Sequence, residues 1–289
     1  MNKRGNAFYT IGSLTKKGKG RAKDLVETVK QLLTSKRQKF ILAVIILSLG
    51  LFFSEHIRID RYGIIVALLL SFFTDIFLLW ANFRDISENF SLSIFILPFF
   101  YSLSFGLFYF LIPTRLFTSI VMTSLYAGGL YSLFLSQNIF IVASIRTIAL
   151  LSSARTVSFI ITLIAYFFLS NTTFSLHAPI FLESLIILIF SFFLTSHAIW
   201  IHTLDRNFFA NIFWVLSLSF CLFAIVLVLW FWPSSPTVLA LFLTGFFYAI
   251  VGLSHVWFDK RLFRGVIWEY LWVSVIVSLI LLLSTFSRI

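Results

Sequence analysis

The stretch QNIFIVASIRTIALLSSARTV, from Gln137 to Val157, is a long, positively charged connection between apolar segments, and the other segments fall on either side of it. Its arginines, Arg146 and Arg155, are nine residues apart, so on one unbroken helix they would point to opposite faces. A helix lying flat on a bilayer hydrates only one of them. We therefore expect either a backbone break near Ser152 and Ser153 or one arginine that faces protein and pairs with an anion. The alternative is a pair of ordinary positive anchors beside a membrane helix.

Outside this stretch the chain is strongly apolar. Of its 289 residues, 60% are hydrophobic and only 11% are charged, against roughly 25% charged residues in soluble proteins. Apolar runs of about the length that crosses a hydrocarbon core lie at 40–54, 63–81, 90–111, 116–134, 156–174, 179–200, 208–232, 236–257 and 266–286. The sequence predicts an all-α fold, a polytopic membrane bundle of about nine transmembrane helices.

Positive charge is concentrated in residues 1–39, which hold eleven of the 22 basic side chains and two acids. We interpret residues 1–39 as a basic cytoplasmic arm and residues 40–289 as the transmembrane domain. Within the arm, apolar residues from Leu25 to Leu33 share one helical face, which predicts a short amphipathic helix on anionic lipid headgroups. A solvated tail that only fixes orientation is the alternative. Because this charge lies beside a membrane, no nucleic acid partner is predicted.

The distribution of basic residues between loops predicts orientation. With the N-terminus inside, 18 basic residues lie on the inner side and 4 on the outer side, which predicts a cytoplasmic N-terminus and an external C-terminus. Similar residues also recur at an offset of 120, such as Ser71 with Ser191 and Pro113 with Pro233. This recurrence suggests a 1+4+4 parallel internal repeat, with phenylalanine-rich coincidence as the alternative.

Ionisable residues inside membrane segments are candidate functional groups because they are costly there. Six such candidates fall in the predicted inner leaflet: Asp75, Arg146, Arg155, His197, His255 and Glu269. A cytoplasm-facing polar cavity could collect them, with the arginines as anion clamps and Asp75 as a counter-ion or proton carrier. We expect at least one arginine to meet an acid, with Asp75 or Glu269 as its partner, or such a cavity. For the histidines, hydrogen bonding at the interface is the alternative.

Familiar catalytic and metal-binding patterns are absent from the sequence. His197 and His202 are five residues apart, unlike the pair on a zinc-binding HExxH helix, and Cys221 is the single cysteine. The chain is interpreted as a transport or lipid-handling protein more than as an enzyme, without a cofactor. Its expected partners are the lipid bilayer and anionic headgroups, and its oligomeric state stays open.

Two predicted inner loops carry acidic residues, NFRDISE at Asn82–Glu88 and DRN at Asp205–Asn207. In helix number and loop position the chain resembles the intramembrane aromatic prenyltransferases, in which two aspartate-rich motifs hold Mg²⁺ and a prenyl diphosphate. This resemblance implies metal ligation by Asn82, Asp85, Glu88 and Asp205. With one carboxylate in the second loop the implied site is incomplete. A prenyltransferase-like enzyme is thus one alternative function, and a non-catalytic scaffold is another.

The charged connection has a second resemblance. Its residues Asn138-Ile139-Phe140, Ile145-Arg146-Thr147 and Ala154-Arg155 are similar to a stretch in an uncharacterised family of bacterial multi-pass membrane proteins. The similarity covers about twenty residues and brings no known activity. It implies that the protein is integral to a bacterial cytoplasmic membrane.

Overall fold

The computed structural model describes residues 35–56, 63–88, 91–113, 115–144, 149–204, 209–260 and 262–286. These ranges contain nine α-helices and no strand. The helices are α1 (Lys36–His56), α2 (Gly63–Glu88), α3 (Ser93–Leu111), α4 (Leu116–Ala143), α5 (Leu151–Ser175), α6 (Ile180–Thr203), α7 (Ile212–Leu229), α8 (Pro236–Phe258) and α9 (Arg264–Phe286). All nine are long and apolar enough to cross a membrane. The predicted all-α, polytopic membrane fold with nine spans is confirmed.

Several helix boundaries differ from the sequence prediction. Helix α1 begins at Lys36, so the end of the predicted basic arm is helical, and α4 continues past residue 134 to Ala143. Apolar periodicity underestimates a helix whose last turns carry polar residues, because backbone hydrogen bonding continues through them. The amphipathic helix predicted within the arm lies outside the described residues.

The charged connection is divided between two helices. Helix α4 ends at Ala143 and α5 begins at Leu151, so the chain does leave the helix between Arg146 and Arg155. A break near Ser152 and Ser153 was one of the two alternatives expected, and the break lies just before these serines, which are in the first turn of α5. Serine costs little there, since first-turn N–H groups lack intrahelical partners anyway. Arg146 lies outside the described residues.

Consecutive helices run antiparallel. Lys36 at the start of α1 pairs with Asp85 near the end of α2, while Gly63 at the start of α2 lies against Phe110 near the end of α3. We call the end of the bundle that holds Lys36 and Asp85 the proximal end, and the end that holds Gly63 and Phe110 the distal end. The two ends face opposite sides of the membrane.

Helices α3, α5 and α6 form the interior, with more than half of the residues in each span buried. Helix α3 packs against α1, α2, α4, α5 and α6, and α5 packs against α3, α4, α6 and α8. A buried hydrogen-bond chain joins α2, α3 and α4 near mid-membrane. In it, Thr74 Oγ1 lies 2.7 Å from Ser102 Oγ, which lies 2.9 Å from the Tyr126 hydroxyl. Such bonds satisfy hydroxyl groups where lipid offers no partner.

Helix α9 is peripheral. Only 6% of its span is buried, and among the described helices its substantial contact is with α8. Two glycines of α8 permit that contact: a Cβ at Gly245 would lie 2.7 Å from Val277 Cγ2, and one at Gly252 would collide with the Tyr270 ring. Small residues let membrane helices approach closely in this way. The 1+4+4 internal repeat stays a prediction.

Candidate functional site

Arg155 lies where the proximal ends of α5, α6 and α8 meet. Its Nε donates to the Ile201 carbonyl at 3.0 Å and its Nη2 to the His202 carbonyl at 3.1 Å. These carbonyls belong to the last turn of α6, where backbone carbonyls have no intrahelical N–H donor. A cation at this position also interacts favourably with the negative end of the helix dipole. Arg155 therefore caps α6 from a neighbouring helix.

An acidic residue completes this junction. Nη1 of Arg155 lies 3.7 Å from Oδ1 of Asp259, the residue that follows α8. The same oxygen accepts a hydrogen bond from His202 Nδ1 at 3.2 Å. The His202 ring stacks on His255 at 4.2 Å, and His255 Nε2 donates to the Ala198 carbonyl at 2.9 Å.

We call Arg155, His202, His255 and Asp259 the proximal cluster. The Arg155 side chain is 23% exposed and that of Asp259 is 39% exposed, whereas His255 is buried. The cluster thus reaches from the proximal surface into the bundle. Its one formal positive charge and one formal negative charge are paired with each other.

Arg155 has an acidic partner, but that partner is neither of the two acids expected from the sequence. Asp75 lies on α2 and Glu269 on α9, and neither helix packs substantially against α5. Asp259 was missed because it looks like a loop charge in the sequence. It reaches Arg155 only because the ends of α6 and α8 converge.

The two expected partners lie apart from the cluster. Asp75 is partly buried, and its Oδ1 has no hydrogen-bond partner among the described residues. Glu269 is exposed near the start of α9, on a helix that borders lipid on most of its surface. Of the six candidates predicted from the sequence, the structure brings Arg155, His197 and His255 to the same region. Arg146 is not among the described residues.

His197 is fully buried and joins four helices. Its Nδ1 lies 2.8 Å from the Ser93 carbonyl on α3, to which it donates. Its Nε2 lies 3.5 Å from Gln137 Nε2 on α4 and 3.4 Å from Ser158 Oγ on α5. With Nδ1 donating to a carbonyl, Nε2 accepts from these groups, which is the pattern of a neutral imidazole. His197 is therefore an interior hydrogen-bonding residue.

The residues suggested as metal ligands do not form a site within the described part of the chain. Asp85 pairs with Lys36, and Asn82 is fully buried at a break in α2. The Glu88 side chain and Asp205 lie outside what the structure describes. Among the described residues, no three or more His, Cys, Asp or Glu side chains gather as metal ligands would.

A pocket opens beside the proximal cluster. It has a volume of about 400 Å³ and is lined by Trp257, Phe258, Lys260 and Leu262. Lys260 follows Asp259 directly and has a left-handed backbone with φ of 55°, which turns the chain away from the end of α8. In the sequence, Lys260 stands out only as one of the 18 basic residues predicted on the inner side. Its position beside Trp257 and in the basic run with Arg261 and Arg264 was the available signal.

One family model matches most of this chain. The model, described as Protein of unknown function (DUF5656), matches residues 42–284. The chain belongs to the DUF5656 family. Comparison of this DUF5656 protein with curated proteins and with solved structures found no match. The expected membership of an uncharacterised family is confirmed, and the match covers every described helix except the first residues of α1 and the last residues of α9.

Proposed function

We propose that this DUF5656 protein transports or otherwise handles a lipid or solute with an anionic group, and that it binds this group at its proximal end, on the cytoplasmic side. The observation that carries the proposal is the pocket of about 400 Å³ in which Lys260 lies among Trp257, Phe258 and Leu262. Within the described part of the chain, the pocket combines one cation with aromatic and aliphatic walls at the end of a membrane span.

The chemistry of this pocket suits an anionic lipid headgroup. Lys260 is exposed, so its ammonium group is available to a phosphate. A lysine near an anionic membrane surface contributes about 1 kcal/mol to attraction. Trp257 lies in the last turn of α8, and indole rings favour the boundary between headgroups and hydrocarbon. The apolar walls would then contact the first carbons of an acyl chain.

Arg155 has a supporting role in this proposal. Two backbone carbonyls and Asp259 already occupy the three nitrogens of its guanidinium group. It therefore holds the residue immediately before Lys260, and so orients the turn that carries the binding cation. This role differs from the anion clamp expected of Arg155 from the sequence. For Arg146 the clamp stays a prediction.

The test is lipid retention by the purified chain. The protein is reconstituted with equal amounts of phosphatidylglycerol and phosphatidylethanolamine and re-extracted in mild detergent, and the retained lipids are then quantified by mass spectrometry. We expect Lys260→Gln to lower the retained phosphatidylglycerol several-fold. Arg115→Gln is the matched control, because Arg115 is an exposed cation at the distal end.

Equal retention by both variants and the parent chain would contradict the proposal. Retained prenyl diphosphate that depends on Mg²⁺ would favour the enzyme alternative. A chain that retains neither class of ligand would favour the non-catalytic scaffold.

A further inference from the structure

A layer of buried, uncharged polar side chains lies inside the proximal half of the bundle, beside the proximal cluster. We call Asn82, Ser91, Gln137, Ser158 and His197 the polar layer. All five are less than a tenth exposed, and Asn82, Gln137, Ser158 and His197 are completely buried. They come from helices α2, α4, α5 and α6 and from the residues just before α3.

Several polar atoms of this layer lack a partner. Neither Nδ2 nor Oδ1 of Asn82 has a hydrogen-bond partner among the described residues, and the same holds for Gln137 Oε1 and Ser91 Oγ. Buried polar groups are normally hydrogen-bonded, since nothing in an apolar interior compensates for the water that they lose. In a membrane span the surrounding lipid offers no substitute. Four such atoms in the proximal half of the bundle leave hydrogen-bonding capacity for a bound molecule.

The unpartnered amides lie at similar depths on α2 and α4, which run parallel and contact each other. Thr74, Leu78 and Asn82 recur every four residues along the buried face of α2, and Thr74 is linked through Ser102 to Tyr126 on α4. Thr74 and Tyr126 therefore lie at about the same depth. Toward the proximal end, Asn82 is eight residues from Thr74 and Gln137 is eleven residues from Tyr126. At about 1.5 Å per residue, Asn82 lies about 12 Å and Gln137 about 16 Å from this depth toward the proximal end. The two amides thus differ in depth by less than one helical turn.

The backbone at Asn82 supports the same inference. With φ of −113° and ψ of 18°, Asn82 interrupts α2, although the helix continues to Glu88. Helix kinks at positions without proline have specific causes, such as a group inserted into the hydrogen-bond ladder. In membrane proteins, irregular backbone is tolerated where it is buried in protein or borders a hydrated cavity.

The donors and acceptors of the layer define the chemistry of the ligand. The unpartnered atoms are one amide nitrogen, two amide oxygens and one hydroxyl, and His197 is neutral by its hydrogen-bond pattern. An anion would find no cation within the layer, and a metal ion would find no carboxylate. A hydroxyl group can both donate to the amide oxygens and accept from the amide nitrogen.

We propose that the polar layer is a binding site for a neutral, hydroxyl-bearing ligand, either water or a hydroxylated solute, held between Asn82 and Gln137. This site is distinct from the interfacial pocket at Lys260 and does not depend on the function proposed for it. It would give a polar molecule a position inside the bundle, beside the proximal cluster.

X-ray radiolytic footprinting in H₂¹⁸O tests the proposal, because radicals formed from trapped water label adjacent side chains. The reporter is Phe134, which is fully buried and one turn from Gln137. The control is Phe247, which is equally buried but packs on the Tyr166 ring at 4.1 Å. We expect Phe134 to be labelled at least several-fold faster than Phe247, and an Asn82→Leu/Gln137→Leu variant to lose most of that difference.

A second measurement separates the two ligand sources. The purified parent chain and the double variant are denatured, and released small molecules are identified by mass spectrometry. A hydroxylated solute released only by the parent assigns the site to that solute, and its absence together with fast Phe134 labelling assigns the site to water. Equal labelling of Phe134 and Phe247 in the parent chain, with no released solute, would overturn the proposal. The parent-chain comparison decides the matter even if the double variant fails to fold.

Discussion

Replacing Arg155 by alanine should destabilise the bundle more than any other single loss of a described arginine. The substitution removes two hydrogen bonds from a charged donor to the Ile201 and His202 carbonyls, each of which contributes about 1.5–3 kcal/mol when a charge takes part. Partial exposure of the side chain, at 23%, reduces these contributions toward their lower limits. The 3.7 Å contact with Asp259 adds about 0–1 kcal/mol, as partly exposed ion pairs do. We expect a total loss of about 3–4 kcal/mol.

The assay is unfolding by sodium dodecyl sulfate in mixed micelles, followed by circular dichroism. Arg115→Ala, at an exposed distal position, is the control and should change the free energy of unfolding by no more than about 0.5 kcal/mol. Arg155→Lys should recover less than half of the loss, since an ammonium group cannot reach three acceptors in a fixed fork. In a double-mutant cycle with Asp259→Ala, the coupling should stay near or below about 1 kcal/mol. If Arg155→Ala matches the control, the capping role assigned to Arg155 is wrong.

Other predictions concern topology, the arm and helix docking. In a cysteine-free background, a cysteine at Ser175 should react with an impermeant reagent added outside, and a cysteine at Thr203 should react only after permeabilisation. The reverse pattern would show that the protein has the opposite orientation. Deleting residues 1–23 should leave a monodisperse folded species on size exclusion, because this glycine- and lysine-rich segment carries few apolar residues to bury. Loss of the folded species would contradict this prediction. Gly252→Val should lower the free energy of unfolding by about 1–3 kcal/mol through overpacking against α9. Gly128 has open space around it, so Gly128→Val should lower the free energy of unfolding by clearly less. Equal losses would count against close docking of α9 on α8.

The nine helices could be predicted because each comes from a continuous apolar run, and a span in lipid must satisfy its backbone within itself. Their ends were less predictable. Helix α4 continues to Ala143 through residues such as Gln137, which apolar periodicity alone would place in a loop. The peripheral position of α9 could not be predicted either, because its composition resembles that of the buried helices. Which face of α9 is covered depends on how it packs against α8.

The candidate site followed from the sequence only in part. The cost of a charge at membrane depth led to the expectation that Arg146 or Arg155 meets an acid or a cavity. Arg155 does lie 3.7 Å from Asp259, but the identity of that acid depends on which helix ends converge. His197 and Ser93 are 104 positions apart, and Arg155 and His202 are 47 apart. Contacts over such separations arise from tertiary packing, and no local pattern in a single sequence encodes them.

The attachment of α9 through α8 has a consequence for biogenesis. Helices α1 to α8 bury nearly all of the interior among themselves, and α9 contributes one buried residue, Leu281, to it. Eight helices can therefore assemble without α9, and α9 can join an existing surface at the glycines of α8. A chain that ends after α8 should then still form a protease-resistant bundle.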